Sequence, residues 1–190
     1  FNYGMGTTAI TTTGATVTGG ANGIRVTSGA DTTGLSITGD NVTGTNGTGI
    51  FAVADNSGTT SIDTSNASGT GSVTGGTDGI VVIGGSSTNV ITVDGVTGTT
   101  GDGIRLTSAS NLTLTANGLV QGGQDGIDIQ GITYGNVTVN AASVQGGIYG
   151  INLDLSGPSD VVVDTTNAPA TGTVTAGPTC SPILNRHPNP

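Results

Sequence analysis

A Gly-Ile step recurs along the chain at Gly23, Gly49, Gly79, Gly103, Gly126 and Gly150, at intervals of 26, 30, 24, 23 and 24 residues. Each step opens a short run in which apolar and polar residues alternate. A second alternating run follows, as in Leu112-Thr113-Leu114-Thr115 and Val137-Thr138-Val139-Asn140, and a short piece centred on a valine closes the cycle. Alternation of period two marks a β-strand with one buried face. A unit of three such strands cannot bury its apolar face alone and is stable only when stacked on its neighbours. The sequence therefore predicts an all-β fold, a parallel β-helix or β-solenoid of three short strands per coil and about six coils. The general preference of parallel crossovers makes it right-handed.

Alternation also assigns the inward side chains. First strands contribute Ile24/Val26, Ile50/Ala52, Ile80/Val82, Ile104/Leu106, Ile127/Ile129 and Ile151/Leu153. Second strands contribute Leu35/Ile37, Ile62, Ile91/Val93, Leu112/Leu114, Val137/Val139 and Val161/Val163. Third strands contribute Val17, Val42, Val73, Val96, Val120, Val144 and Val174. Stacked at about 4.8 Å, equivalent residues become aliphatic ladders along a rod roughly 30 Å long.

Just over a fifth of the chain is Leu, Ile, Val or Phe, close to the range where chains stay disordered. The alternation decides against disorder. Glu, Lys and Trp are absent while Thr, Gly, Asn and Ser abound, so helix propensity is poor throughout. Twelve Asp against three Arg give a net charge of -9, which argues against nucleic acid as a partner. The acids are spread along the chain and read as solubilising. No apolar run approaches the ~18 residues of a membrane helix. No signal peptide is read at Phe1, so a secreted protein would be represented by its mature form or an excised piece.

Residues 1–176 are expected to form the solenoid, and 177–190 a Pro-rich C-terminal tail or cap. The tail holds the single cysteine, Cys180, read as a free thiol, and the single histidine, His187. Before the Gly-Ile step stand Asn22, Asp78, Asp102 and Asp125. Asn and Asp bond their own main chain in turns and a following glycine can take φ > 0, so these residues are expected to turn the chain. The second cycle departs from the pattern with Thr48 at this corner and Phe51 outward, and Ala54 to Thr60 is its expected bulge.

The corner segments VTGGANGI, VTGGTDGI, VTGTTGDGI and VQGGQDGI resemble passenger domains of Gram-negative autotransporter adhesins and related secreted parallel β-helix surface proteins. The resemblance spans roughly Ile10 to Val174. It implies an extracellular place at the bacterial outer-membrane surface, as a stalk that continues into further coils and a membrane translocator β-barrel outside this segment. The partners it implies are a host surface protein or glycan, and open solenoid edges add end-to-end self-association of copies.

No catalytic, cofactor or metal-binding residue is expected, although a stacked Asp78/Asp102/Asp125 column on an acidic surface could attract a divalent cation such as calcium. The candidate surface recognition patch is Arg105, Asp128, Gln130, Asn152 and Asp154, outward positions of successive first strands. Arg105 is expected to stack on Asp128 as a cross-strand ion pair, with Asp154 diagonal to it. A polysaccharide-binding or polysaccharide-cleaving β-helix would use these residues, since paired carboxylates cleave glycosidic bonds. No aromatic is read beside the patch for sugar stacking. A third reading is ice binding by outward threonines, with Thr92, Thr113 and Thr138 in one column and Asp94, Asn140 and Asp164 breaking the next.

Overall fold

The computed structural model describes residues 6–55, 58–66, 68–84, 88–107, 110–166, 173–177 and 183–186, which hold seventeen strands and no helix. In chain order these are β1 (Thr7–Gly19), β2 (Ile24–Ser28), β3 (Gly34–Gly44), β4 (Ile50–Ala54), β5 (Thr59–Asp63) and β6 (Ser72–Gly75). They continue with β7 (Ile80–Ile83), β8 (Thr88–Val93), β9 (Gly95–Gly98), β10 (Ile104–Thr107), β11 (Asn111–Gly122) and β12 (Ile127–Ile132). The last are β13 (Gly135–Gly146), β14 (Ile151–Leu155), β15 (Ser159–Asp164), β16 (Thr173–Thr175) and β17 (Ile183–Arg186).

All pairings are parallel and join each strand to its equivalent one coil away, so the chain is a parallel β-solenoid. One sheet is the stack of first strands, in the order β17-β14-β12-β10-β7-β4-β2. The other joins second and third strands. In β1, β3, β11 and β13 these two sides run on without a break, whereas β5 and β6, β8 and β9, and β15 and β16 are separate strands. The expected three short strands therefore occur as three sides, two of which fuse in four of the coils. Among the described positive-φ glycines, Gly14 (φ 73) lies where the register shifts within β1, between Thr12 and Thr16.

The inward ladders form as the alternation requires. Val17, Val42, Val73, Val96, Val120, Val144 and Val174 are in register along the third side. Ile24, Ile50, Ile80, Ile104, Ile127, Ile151 and Ile183 are in register along the first. One core cluster contains them from Ile24 to Leu155, with Ile10, Val17, Val161, Val163 and Val174 packed against it at the two ends. Each buried Leu, Ile or Val contributes about 1.5–3 kcal/mol of transfer free energy, which is how a chain this rich in Gly and Thr stays folded.

Three expectations change. On the second side Ile91 is in register with Leu114, so the partner of Leu112 is Asn89 and Val93 sits against Ala116. Asn89 is buried, and its Oδ1 has no hydrogen-bond partner. A polar residue in an inward place hides where the strand begins. The extra length of the second cycle lies at 64–71 between β5 and β6, and not at Ala54 to Thr60, where the link from β4 to β5 matches those of other coils. Asp94 holds this loop: its Oδ2 accepts the amides of Asn66 (2.9 Å) and Gly71 (3.0 Å), and its Oδ1 accepts Asn117 Nδ2 (3.2 Å). Asp94 is thus a buried anchor and not part of the outward threonine columns. Finally, β17 comes from the Pro-rich tail. Ile183 pairs in register with Ile151 and Arg186 with Asp154, adding a seventh first strand where Pro182 replaces the usual glycine. Cys180 and His187 lie outside the described residues, as do Phe1 to Met5.

Candidate functional site

The corner leading from third to first strand fixes the face that holds the candidate patch. Its glycines are there for space. A Cβ on Gly49 would stand 2.5 Å from Val73 Cγ1 and 2.6 Å from the Gly79 carbonyl oxygen, and Gly79, Gly103 and Gly126 are equally enclosed. None of these four has the left-handed φ expected of it; among the described glycines positive φ occurs at Gly14, Gly69, Gly84, Gly131 and Gly135. The corner is tight because the third-strand valine of the next coil lies directly under it.

The residue before that glycine joins one coil to the next. Asn22 Oδ1 accepts the amide of Thr48 (2.9 Å), Asp78 Oδ1 that of Asp102 (2.9 Å), Asp102 Oδ1 that of Asp125 (3.0 Å), and Asp125 Oδ1 that of Tyr149 (3.0 Å). Each side chain satisfies the equivalent amide one coil on, and not its own turn as the sequence suggested. Among the described residues no group of three His, Cys, Asp or Glu is arranged to hold a metal ion. Asp102 and Asp125 are only 5% and 9% exposed. Burial pushes both carboxyls above their ordinary range, against the pull of the Asp125 and Tyr149 amides, and neighbouring acids add to the rise.

The five patch residues fall on neighbouring strands of the first sheet. Arg105 is in register with Asp128 and Asp128 with Asn152, while Gln130 is in register with Asp154. Asp154 is exposed and diagonal to Asp128, as read from the sequence. Two features differ. The Arg105 guanidinium goes to Asp78 Oδ2 at 3.3 Å, because a long side chain can swing back to the corner of the preceding coil. Asp128, expected on a solvated surface, is 3% exposed, and its oxygens accept Gln130 Nε2 (2.6 Å) and Asn152 Nδ2 (2.8 Å). Burial raises the Asp128 carboxyl, while the Asn152 amide draws it down. A carboxyl so covered is badly placed to reach a substrate.

Two residues enlarge the patch beyond what alternation suggested. Phe51 and Val81 occupy the column of Arg105 on the preceding coils. Val81 is fully buried although it lies on the outward side, flanked by Phe51 and Arg105. The Arg25 guanidinium stands 5.3 Å from the centre of the Phe51 ring, within cation–π range. With Val53 and Ile83 alongside, the face is apolar on coils two and three and polar on coils four to six. An aromatic therefore does stand on the patch face, two coils before Arg105. Its signal was the Gly-Ile register itself, which places Phe51 and Arg105 at the same step.

No family model, curated protein or solved structure matches the chain. What it can do must be read from its own surfaces.

On the second side the threonine columns run one step away from their expected alignment. Thr92 is in register with Asp63 and Thr115, and Thr113 with Val90 and Thr138. Both columns are interrupted. The third side carries Thr18, Thr43, Thr74, Thr97, Gln121 and Gln145 in register. A cavity of about 450 Å³ lies at the start of β13 and β15, lined by Gly135, Asn136, Pro158, Ser159 and Asp160. No base, nucleophile and orienting group converge there.

Proposed function

We propose that this chain is a structural and adhesive β-helical segment of a bacterial cell-surface or secreted protein, of the autotransporter passenger kind, working without catalysis. The observation that supports this is the uninterrupted register of the aliphatic ladders, from Ile24 to Ile183 on the first side and Val17 to Val174 on the third. Such a stack is a stiff spacer whose outward columns present a regular lattice of side chains. Further coils, a translocator domain and end-to-end contacts between copies are the partners that suit its open edges.

A second reading, polysaccharide binding on the first-strand face, is favoured by one feature. Phe51, with the Arg25 guanidinium near its ring and Val53 and Ile83 alongside, makes an apolar platform on which a sugar ring could stack. The test is a binding screen of the folded chain against host-matrix proteins, polysaccharides and ice, with reducing-sugar release followed in the same samples. Binding without sugar release, weakened several-fold or more by Phe51→Ala, is the expected result. Sugar release abolished by Asp128→Asn or Asp154→Asn would replace the adhesive reading with an enzymatic one.

A further inference from the structure

The corner column changes chemistry along the rod. Its first two members are Asn22 and Thr48, its next three Asp78, Asp102 and Asp125. Asn22 performs the same task as the aspartates, accepting the next coil's amide at the same distance as Asp78 does. An uncharged acceptor thus serves at this place as a carboxylate does, and the fold does not need a charge there. Yet three successive corners carry carboxylates, and Asp128 lies three residues beyond Asp125 on the face above them.

These groups are crowded. Equivalent atoms in adjacent coils are separated by about 4.8 Å, and burial removes the water that would screen them. The charged neighbours that act on Asp102 are Asp78, Asp128 and Arg105; Asp102 acts on Asp125, and Asp125 and Arg105 act on Asp128. Asp154 is exposed and Arg186 is in register with it on β17. Among the described side chains Arg105 is therefore the one cation set against these four carboxyls, and it is ion-paired to Asp78. The chain has no Lys or Glu to alter this balance.

We propose that the Asp102–Asp125–Asp128 cluster, stacked beside the Asp78–Arg105 ion pair, is an acid-responsive seam, so that the coils carrying it are held together more tightly as the medium is acidified. The sign follows from which state binds protons more readily. Burial and mutual repulsion make the folded chain hold these protons at a pH where the unfolded chain has released them. Stability then falls as pH rises through that window and is recovered on acidification, complete once the pH is below the unfolded carboxyl values. The amide bonds donated to Asp102 and Asp125 favour ionisation and oppose the effect without reversing it.

The test uses the full chain, with urea unfolding and amide hydrogen exchange at Asp125 and Tyr149, corrected for intrinsic exchange, from about pH 8 to about pH 4. D102N/D125N removes two seam charges and keeps both acceptors, as Asn22 does. D31N/D160N removes two charges from exposed positions and controls for the general relief of a net charge of -9. In the parent and in D31N/D160N the midpoint should rise on acidification. Exchange at Tyr149 should slow roughly tenfold for each unit by which a seam carboxyl is displaced. In D102N/D125N the midpoint should be higher at pH 8 and should rise less on acidification than in the parent, Asp128 being the one seam acid left. A D102N/D125N variant that keeps the parent's slope overturns the proposal. So does a parent chain whose Tyr149 exchange does not slow on acidification, a measurement that needs no variant to fold.

Discussion

Two glycines of the same coil, Gly79 and Gly95, show how differently one residue type can be constrained. At Gly79 an added Cβ meets Val96 Cγ1 at 2.4 Å and the Gly103 carbonyl oxygen at 2.5 Å; at Gly95 the nearest atom is 3.6 Å away. Gly79→Ala should cost roughly 1–3 kcal/mol, the usual penalty of overpacking. Gly95→Ala should be neutral or slightly stabilising, because Ala loses less backbone entropy than Gly within a strand. Urea midpoints of the two variants check the contrast, and equal effects would show that the corner can relax. The inward ladders were legible in the sequence because period-two alternation survives every change of loop length. The crowding at Gly79 was not, since it depends on a valine seventeen positions along the chain being brought beneath it. The patch was legible to the extent that alternation names outward positions. Whether an outward residue is wet depends on its neighbours, and Asp128 and Val81 are both buried there. Nor could register foresee Arg105 reaching Asp78, because a long side chain is not confined to its own column.

Between strands, the loop at 64–71 shows how the solenoid tolerates an insertion. Both of its ends are tied to one carboxylate on the next coil: Asp94 accepts the amides of Asn66 and Gly71, while Asn66 Oδ1 accepts those of Ser68 and Thr70 within the loop. Asp94→Ala leaves two backbone amides and the Asn117 side chain without this acceptor. It should destabilise the chain by at least about 1–3 kcal/mol. Limited proteolysis should then cut first between Thr64 and Gly71; cleavage elsewhere, with this loop intact, would mean that Asp94 does not hold it. The insertion was misplaced in the sequence because Ala54 to Thr60 is as rich in small polar residues as 64–71. Only the pairing of β5 with β8 and of β6 with β9 separates the two. The strand from the Pro-rich tail was hidden for a related reason. Proline marks a break in most contexts, whereas here β17 begins at the residue after Pro182 in the sequence.

Taken as a whole, the molecule is a stack in which every coil touches only the coils above and below it. Seven first strands at about 4.8 Å make a rod roughly 30 Å long. The hydrogen bonds between coils all point along that length. Under tension applied to its two ends, such a rod therefore loads its bonds one row at a time, as a zipper does, and not all together, as two strands sheared past each other would. Each row that yields releases a coil of 23 to 30 residues, counted between successive first-strand isoleucines from Ile24 to Ile151. At 3.3–3.6 Å per residue this is on the order of 80–100 Å of slack. Single-molecule stretching should show low-force steps of that size, and one high-force rupture of the entire chain would contradict it. A rod of this kind is stiff against bending and yet pays out length when pulled, so work done on its two ends is dissipated coil by coil before the whole stack is lost.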